Sequence, residues 1–161
     1  GECMVKTSIR GVKNPRLRKL FKLALDDFAT RLVGKRKNLH VTVKFSNYRE
    51  TSKMLGDCEI LDYTERLRFP REFKINIDNV QSLRLQLRTL AHEMVHVKQF
   101  ALNELYDYSI KPDHTRWRDD IFDVKAIKYK DQPWEVEAYG MEVGLVREFL
   151  KEHKIRLKDY A

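Results

Sequence analysis

The chain has 161 residues, 42% hydrophobic and 35% charged, and 32 Lys and Arg against 24 Asp and Glu give a formal net charge of +8. That length and composition predict one soluble globular domain over residues 1–161, large enough for a core and too small for a two-lobed enzyme. No apolar run approaches a membrane span and no signal peptide is visible, which excludes a membrane partner and predicts a cytoplasmic location.

Met4 reads as the natural start, so Gly1, Glu2 and Cys3 are set aside as a remnant ahead of it. With Cys3 set aside, Cys58 is left as a free thiol, which gives neither a disulfide framework nor a cysteine-based zinc site and suits a reducing compartment. Charge is unevenly spread. Lys6, Arg10, Lys13, Arg16, Arg18, Lys19, Lys22, Arg31, Lys35, Arg36 and Lys37 load the first quarter, opposed over that stretch by Asp26 and Asp27. Such a region attracts polyanions, and nucleic acid is retained as a secondary partner. The plainer reading is a solvated helix face and a basic loop, since no nucleic-acid motif or aromatic platform accompanies the charges.

Asn14-Pro15 opens the first predicted helix, and Leu17, Leu20, Phe21, Ala24, Leu25, Phe28 and Leu32 recur at helical spacing until Gly34, giving an amphipathic helix over about 15–33. Residues 39–45 alternate apolar and polar, 58–63 form a weaker strand candidate, and 73–78 alternate with Phe73, Ile75 and Ile77 on one face. These three predict a small antiparallel or mixed sheet. A long helix follows from about Ser82 to Leu105, with Leu83, Leu87, Leu90, Ala91, Met94, Val97, Ala101 and Leu105 as its core stripe. Residues 106–132 include Pro112, and their segment 121–129 reads as an irregular hairpin. Pro133 opens a final helix expected to turn Val136, Tyr139, Val143, Val146 and Leu150 inward.

The long helix contains His92-Glu93-Met94-Val95-His96, an H-E-x-x-H motif. Residues i and i+4 stack on one helix face, so both imidazoles reach one metal ion, while Glu93 lies beside it and accepts a proton from its water. His92, His96, Gln99 and Asn103 fall on a polar stripe bordering the core stripe, the place for an open metal site. A catalytic zinc needs a third protein ligand and one position left to solvent. The candidates are Glu135, Glu137 and His114. Glu135 and Glu137 are about 200° apart around a helix, so one of them faces the metal. Glu135 is preferred, because Ala138 at i+3 permits close helix approach and Tyr139 at i+4 places a polar tip one turn on.

Residues 90–99 resemble the active-site helix of zincin metallopeptidases, and Trp134-Glu135-Val136-Glu137-Ala138 resembles the glutamate helix of the gluzincin branch. Small SprT-like and phage-encoded metallopeptidase domains are also similar. The resemblance implies an α+β, minimal zincin-like fold: a small twisted sheet packed against an N-terminal helix, the H-E-x-x-H helix and a C-terminal glutamate helix. It implies a Zn2+ cofactor on His92, His96 and Glu135, Glu93 as general base, and hydrolysis of peptide bonds, in the host cytoplasm if the source is viral. It further implies that strand 73–78 is an exposed edge pairing with an extended peptide or protein substrate. Tyr139, His114 and Arg116 are candidate donors to the developing oxyanion, and Gln99 is a candidate for orienting a ligand. Relatives of the gluzincin branch carry Ala-Asp where this chain has Ala138-Tyr139, so the usual supporting aspartate is missing. The alternatives are a SprT-like DNA-associated protease using His114, whose His114-Thr115-Arg116-Trp117 lacks that group's glycine, and an inert zincin-like binding module.

Overall fold

The computed structural model describes residues 5–35, 38–62, 69–108 and 113–160. In chain order they form β1 (Val5–Arg10), α1 (Pro15–Val33), β2 (Leu39–Ser46), α2 (Tyr48–Ser52), β3 (Gly56–Ile60), β4 (Glu72–Asp78), α3 (Leu83–Ala101), β5 (Leu105–Asp107), β6 (His114–Trp117), β7 (Asp120–Asp123) and α4 (Pro133–Glu152). Single 3-10 turns lie at Val124–Ala126, Tyr129–Asp131 and Leu157–Tyr160. Residues Cys3, Met4, Arg36, Lys37, Tyr63 and Pro112, each used in reading the sequence, lie outside the described residues.

The protein is α+β, built on a mixed four-stranded sheet of order β1-β2-β4-β3. β1 and β4 run parallel to β2 between them, and β3 is antiparallel to β4. Alternation along the strands makes the two faces of this sheet different. Leu39, Val41, Val43 and Phe45 of β2 and Phe73, Ile75 and Ile77 of β4 face the core. There they meet Leu20, Phe21, Leu25 and Phe28 of α1 and Leu87, Leu90 and Met94 of α3. The other face carries polar side chains. Helix starts follow their caps: Asn14 accepts from the backbone N–H of Arg16 and Leu17, and Ser82 accepts from that of Leu85.

Several expectations need correction. β1 was hidden in the basic segment, where Val5, Thr7 and Ile9 alternate with Lys6, Ser8 and Arg10. β4, the strand at 73–78, is not an edge: β2 flanks one side of it and β3 the other, and the edges of the sheet are β1 and β3. The weak strand candidate at 58–63 is displaced to Gly56–Ile60. α3 stops at Ala101, because Asn103 turns left-handed at φ 58 and Leu105 starts β5.

α4 is rotated from the expected orientation. Val136, Tyr139 and Val143 are about half exposed, while Trp134, Glu135, Ala138, Glu142, Leu145, Val146 and Phe149 face inward. The buried stripe includes two carboxylates, so a hydrophobic reading picks the neighbouring stripe, turned by about 100°. Between α3 and α4 the expected hairpin at 121–129 is instead a three-stranded antiparallel sheet, β5-β6-β7, followed by 3-10 turns. Its own small core joins Leu105, Trp117 and Trp134. Among the described residues no helix is long and apolar enough to cross a membrane.

Candidate metal centre

α3 fixes His92 and His96 one turn apart on its border stripe, with ring centroids 5.0 Å apart. α4 packs along α3 with the fully buried Ala138 between them, and its first turn delivers Glu135. The Glu135 carboxylate lies 3.0 Å from His92 Nε2 and 3.2 Å from His96 Nε2. One ligand atom from each of these three buried side chains falls within 4.8 Å of the others. Glu137 points elsewhere, to Lys98 at 3.0 Å and Arg118 at 2.9 Å. His114 lies on β6 opposite Asp123, outside this cluster.

The far nitrogens of the two rings are also held. His92 Nδ1–H donates to Glu142 Oε1 at 3.3 Å, and Arg88 Nε holds the other oxygen of Glu142 at 3.2 Å. His96 Nδ1–H donates to Gln99 Oε1 at 2.8 Å, and Gln99 Nε2 donates to the Trp134 carbonyl at 3.0 Å. Bonding at Nδ1 fixes each ring's orientation and directs Nε2 toward the common point. Gln99 thus holds the His96 ring and Glu142 the His92 ring. Glu142 was not singled out from sequence; its spacing of seven from Glu135, two helical turns, was the available signal.

Charge follows this geometry. Burial alone pulls the His92 imidazolium down, but hydrogen bonds to Glu135 and Glu142 outweigh it and carry its pKa to about 9. His96 is raised for the same reason, with Glu135 as its main partner. Burial pushes Glu135 up, yet the two histidines hold it down at about 2. Glu93 is not part of the cluster. It stands beside it, and burial raises its carboxyl to about 7 against the pull of His96 and His92.

Glu93 lines two adjoining cavities. One, of about 220 Å³, is bounded by His96, Phe100, Leu105, Trp134, Asp107 and the edge strand at Gly56–Cys58. The other, of about 490 Å³, is bounded by His92, Met54, Leu55, Leu85, Thr89 and Tyr139. Tyr129, from a 3-10 turn, lines both, and burial together with the charge of Glu135 raises its phenol pKa. No periodic pattern in the sequence marks it. Tyr139 stacks edge-on against His92, with centroids 4.5 Å apart, as a half-exposed wall of the larger cavity. Arg116 is committed elsewhere, to the backbone and side chain of Asn103.

The donor set suits a divalent cation. Two imidazole nitrogens and one carboxylate converge, their outer atoms are satisfied, and mixed nitrogen and oxygen ligands are what zinc takes. The fold and site together define an α+β domain with a buried His-His-Glu cluster between two helices. No protein-family model, curated protein or solved structure matches the chain.

Proposed function

We propose that this protein is a zinc-dependent peptidase of the minimal zincin type, with His92, His96 and Glu135 as its metal ligands. The observation that carries the reading is the convergence of those three donors beside a buried carboxylate, Glu93, whose pKa is raised to about 7. Zinc bound there would supply a Lewis acid and lower the pKa of its water.

The chain's own groups account for the rest. Glu93 near pH 7 is balanced between its two forms, which suits a group that accepts a proton from the attacking water and later gives it to the leaving amine. Tyr129, kept protonated at neutral pH, lines both cavities that Glu93 lines, so it replaces Tyr139 as the leading donor to the oxyanion. Tyr139 instead shapes the cavity next to His92. An extended peptide would pair with the outer edge of β3, the strand whose Gly56–Cys58 segment borders Glu93, rather than with the interior strand β4.

Glu93→Gln is the direct test. Peptide cleavage measured on a mixed library should fall by about 1000-fold, within the usual reach of general acid–base catalysis, while zinc per chain stays as in wild type. Retained cleavage in Glu93→Gln, or no cleavage by the zinc-loaded wild type, rejects the peptidase reading.

A further inference from the structure

The larger of the two cavities beside Glu93 is walled by exposed apolar side chains that the metal centre does not use. Met54 and Leu55 come from the segment ahead of β3, Leu85 from the first turn of α3, and Tyr139 from α4. Val136 and Val143 continue the exposed face of α4 on either side of Tyr139. Single exposed apolar residues are ordinary, but a group gathered round one recess marks a contact surface. The polar side chains of the same wall are engaged within the protein. Gln81 Nε2 donates to the Asp78 carbonyl at 2.9 Å, Thr89 Oγ1 donates to the Leu85 carbonyl at 2.9 Å, and Arg88 pairs with Glu142 at 3.2 Å. A ligand entering from solvent meets mainly apolar surface. The smaller cavity is different: carboxylates of Asp57, Asp107, Glu93 and Glu135 share its lining.

Three elements give the cleft a direction. From the smaller cavity to the larger, β3 is followed backward from Cys58 to Gly56 and on to Leu55, α3 backward from His96 to Leu85, and α4 forward from Glu135 to Glu142. An extended chain laid antiparallel to β3, the sense in which β4 pairs on the other side, runs forward along that path. Residues after the bond held at Glu93 then fall in the larger cavity. Alternate side chains of an extended chain point the same way, about 7 Å apart. Leu85 and Thr89 on α3, and Tyr139 and Val143 on α4, are each separated by one helical turn, about 6 Å. The walls repeat at nearly the spacing of every second substrate residue.

We propose that the cleft selects polypeptide segments with large apolar side chains at the first and third positions after the cleaved bond; the place of that bond rests on the peptidase reading. The first side chain lies against Leu55 and Tyr139, the third against Leu85 and Val143. The occupant is an extended chain, because the recess adjoins an edge strand, β3, whose outer backbone pairs with a strand. Folded proteins bury such alternating apolar faces in their own sheets, so the chains that offer them are unfolded or loosely folded.

The test gives the full zinc-loaded chain a mixed peptide library, with cleavage sites read by mass spectrometry, and two labelled peptides that differ only in leucine or serine at the third position. Wild type should cut before large apolar residues at the first and third positions, with kcat/KM about 10- to 100-fold higher for leucine than for serine at the third. In the double variant Leu85→Gln/Val143→Thr, at two exposed positions, that ratio should fall below about 3-fold. Ile121→Gln, at an exposed apolar position on β7, should leave the ratio as in wild type. Binding of the two peptides to zinc-loaded Glu93→Gln, followed by fluorescence anisotropy, should show the same preference without turnover. Cleavage with no preference at the third position, a preference that survives in Leu85→Gln/Val143→Thr, or an equal loss in Ile121→Gln overturns the inference and leaves the peptidase reading standing. Leucine-dependent binding without any cleavage upholds the docking surface and rejects the peptidase reading. Absence of both binding and cleavage removes both.

Discussion

Among the described residues, two places bring three metal-capable side chains together, and they are built differently. His92, His96 and Glu135 form one cluster; Asp27, Glu152 and His153 form the other. In the first, all three groups are buried, each ring nitrogen turned away from the centre has a fixed partner, and no Lys or Arg among the described residues pairs with Glu135. In the second, Arg31 already sits between the carboxylates, 2.7 Å from Asp27 and paired with Glu152, while His153 bonds Asp27 at 3.3 Å. A guanidinium there supplies the positive charge a metal would bring. Nearness of donor atoms is thus a weak criterion, and orientation imposed from behind the ligands is the stronger one.

The largest contrast is expected in metal content. His92→Ala or His96→Ala should reduce zinc from about one ion per chain to a trace by elemental analysis, whereas Asp27→Ala should leave it intact. Equal loss from both clusters would erase the distinction.

Stability should show the next largest effect. Free zinc at about 1000 times its dissociation constant adds about 4 kcal/mol through linkage, on the order of 10 °C in melting temperature for a chain of this size. The sign with pH is informative. His92, raised to about 9, and Glu93, raised to about 7, both favour the fold in their protonated forms. Their stabilisation is complete below their unfolded values, near 6.5 for His92 and 4.5 for Glu93, and is lost as pH rises through about 9 and about 7 respectively. Glu135, held at about 2, acts oppositely: its contribution is present above 4.5 and disappears only as pH falls toward 2. With chelator present, melting temperature should therefore decline between pH 5 and 9. Zinc should reverse that trend, because binding displaces the histidine protons more easily as pH rises. Parallel melts with chelator and with zinc check this, and identical slopes would contradict it.

Smaller still is the loss from the orienting groups. Glu142→Leu or Gln99→Leu should weaken zinc affinity about 10- to 100-fold in a competitive chelator titration without abolishing binding. Smallest is Asp27→Ala, where loss of partly exposed ion pairs should cost less than about 1 kcal/mol by denaturant titration.

The parts legible in the sequence are those set by short-range spacing. α1 appears with its expected bounds because cap, proline and apolar period agree locally. The His92 and His96 pairing depends only on one turn of helix. Glu135 and Glu137 differ by which side of α4 they occupy, and the structure gives them different partners, His92 and His96 for one, Lys98 and Arg118 for the other. Features set by long-range pairing were not legible. Phe73, Ile75 and Ile77 alternate identically in an edge strand and an interior one, and only the placement of β3 decides between them. β1 is six residues long and its charges masked its alternation. Tyr129 comes to the cavity beside Glu135 from a turn with no period. Glu142 was missed because carboxylates are read as solvent-facing, although here one anchors a ring and an arginine at once.

One position sets the bore of the slot beside Glu93. A methyl group placed on Gly56 would stand 2.5 Å from Thr89 Cγ2, 3.0 Å from the Asn76 carbonyl oxygen and 3.7 Å from Glu93 Cγ. The bare backbone of β3 is therefore seated directly against the helix that carries Glu93. Anything larger than hydrogen there would act as a shim, prising strand from helix and loosening the clearance along the whole channel.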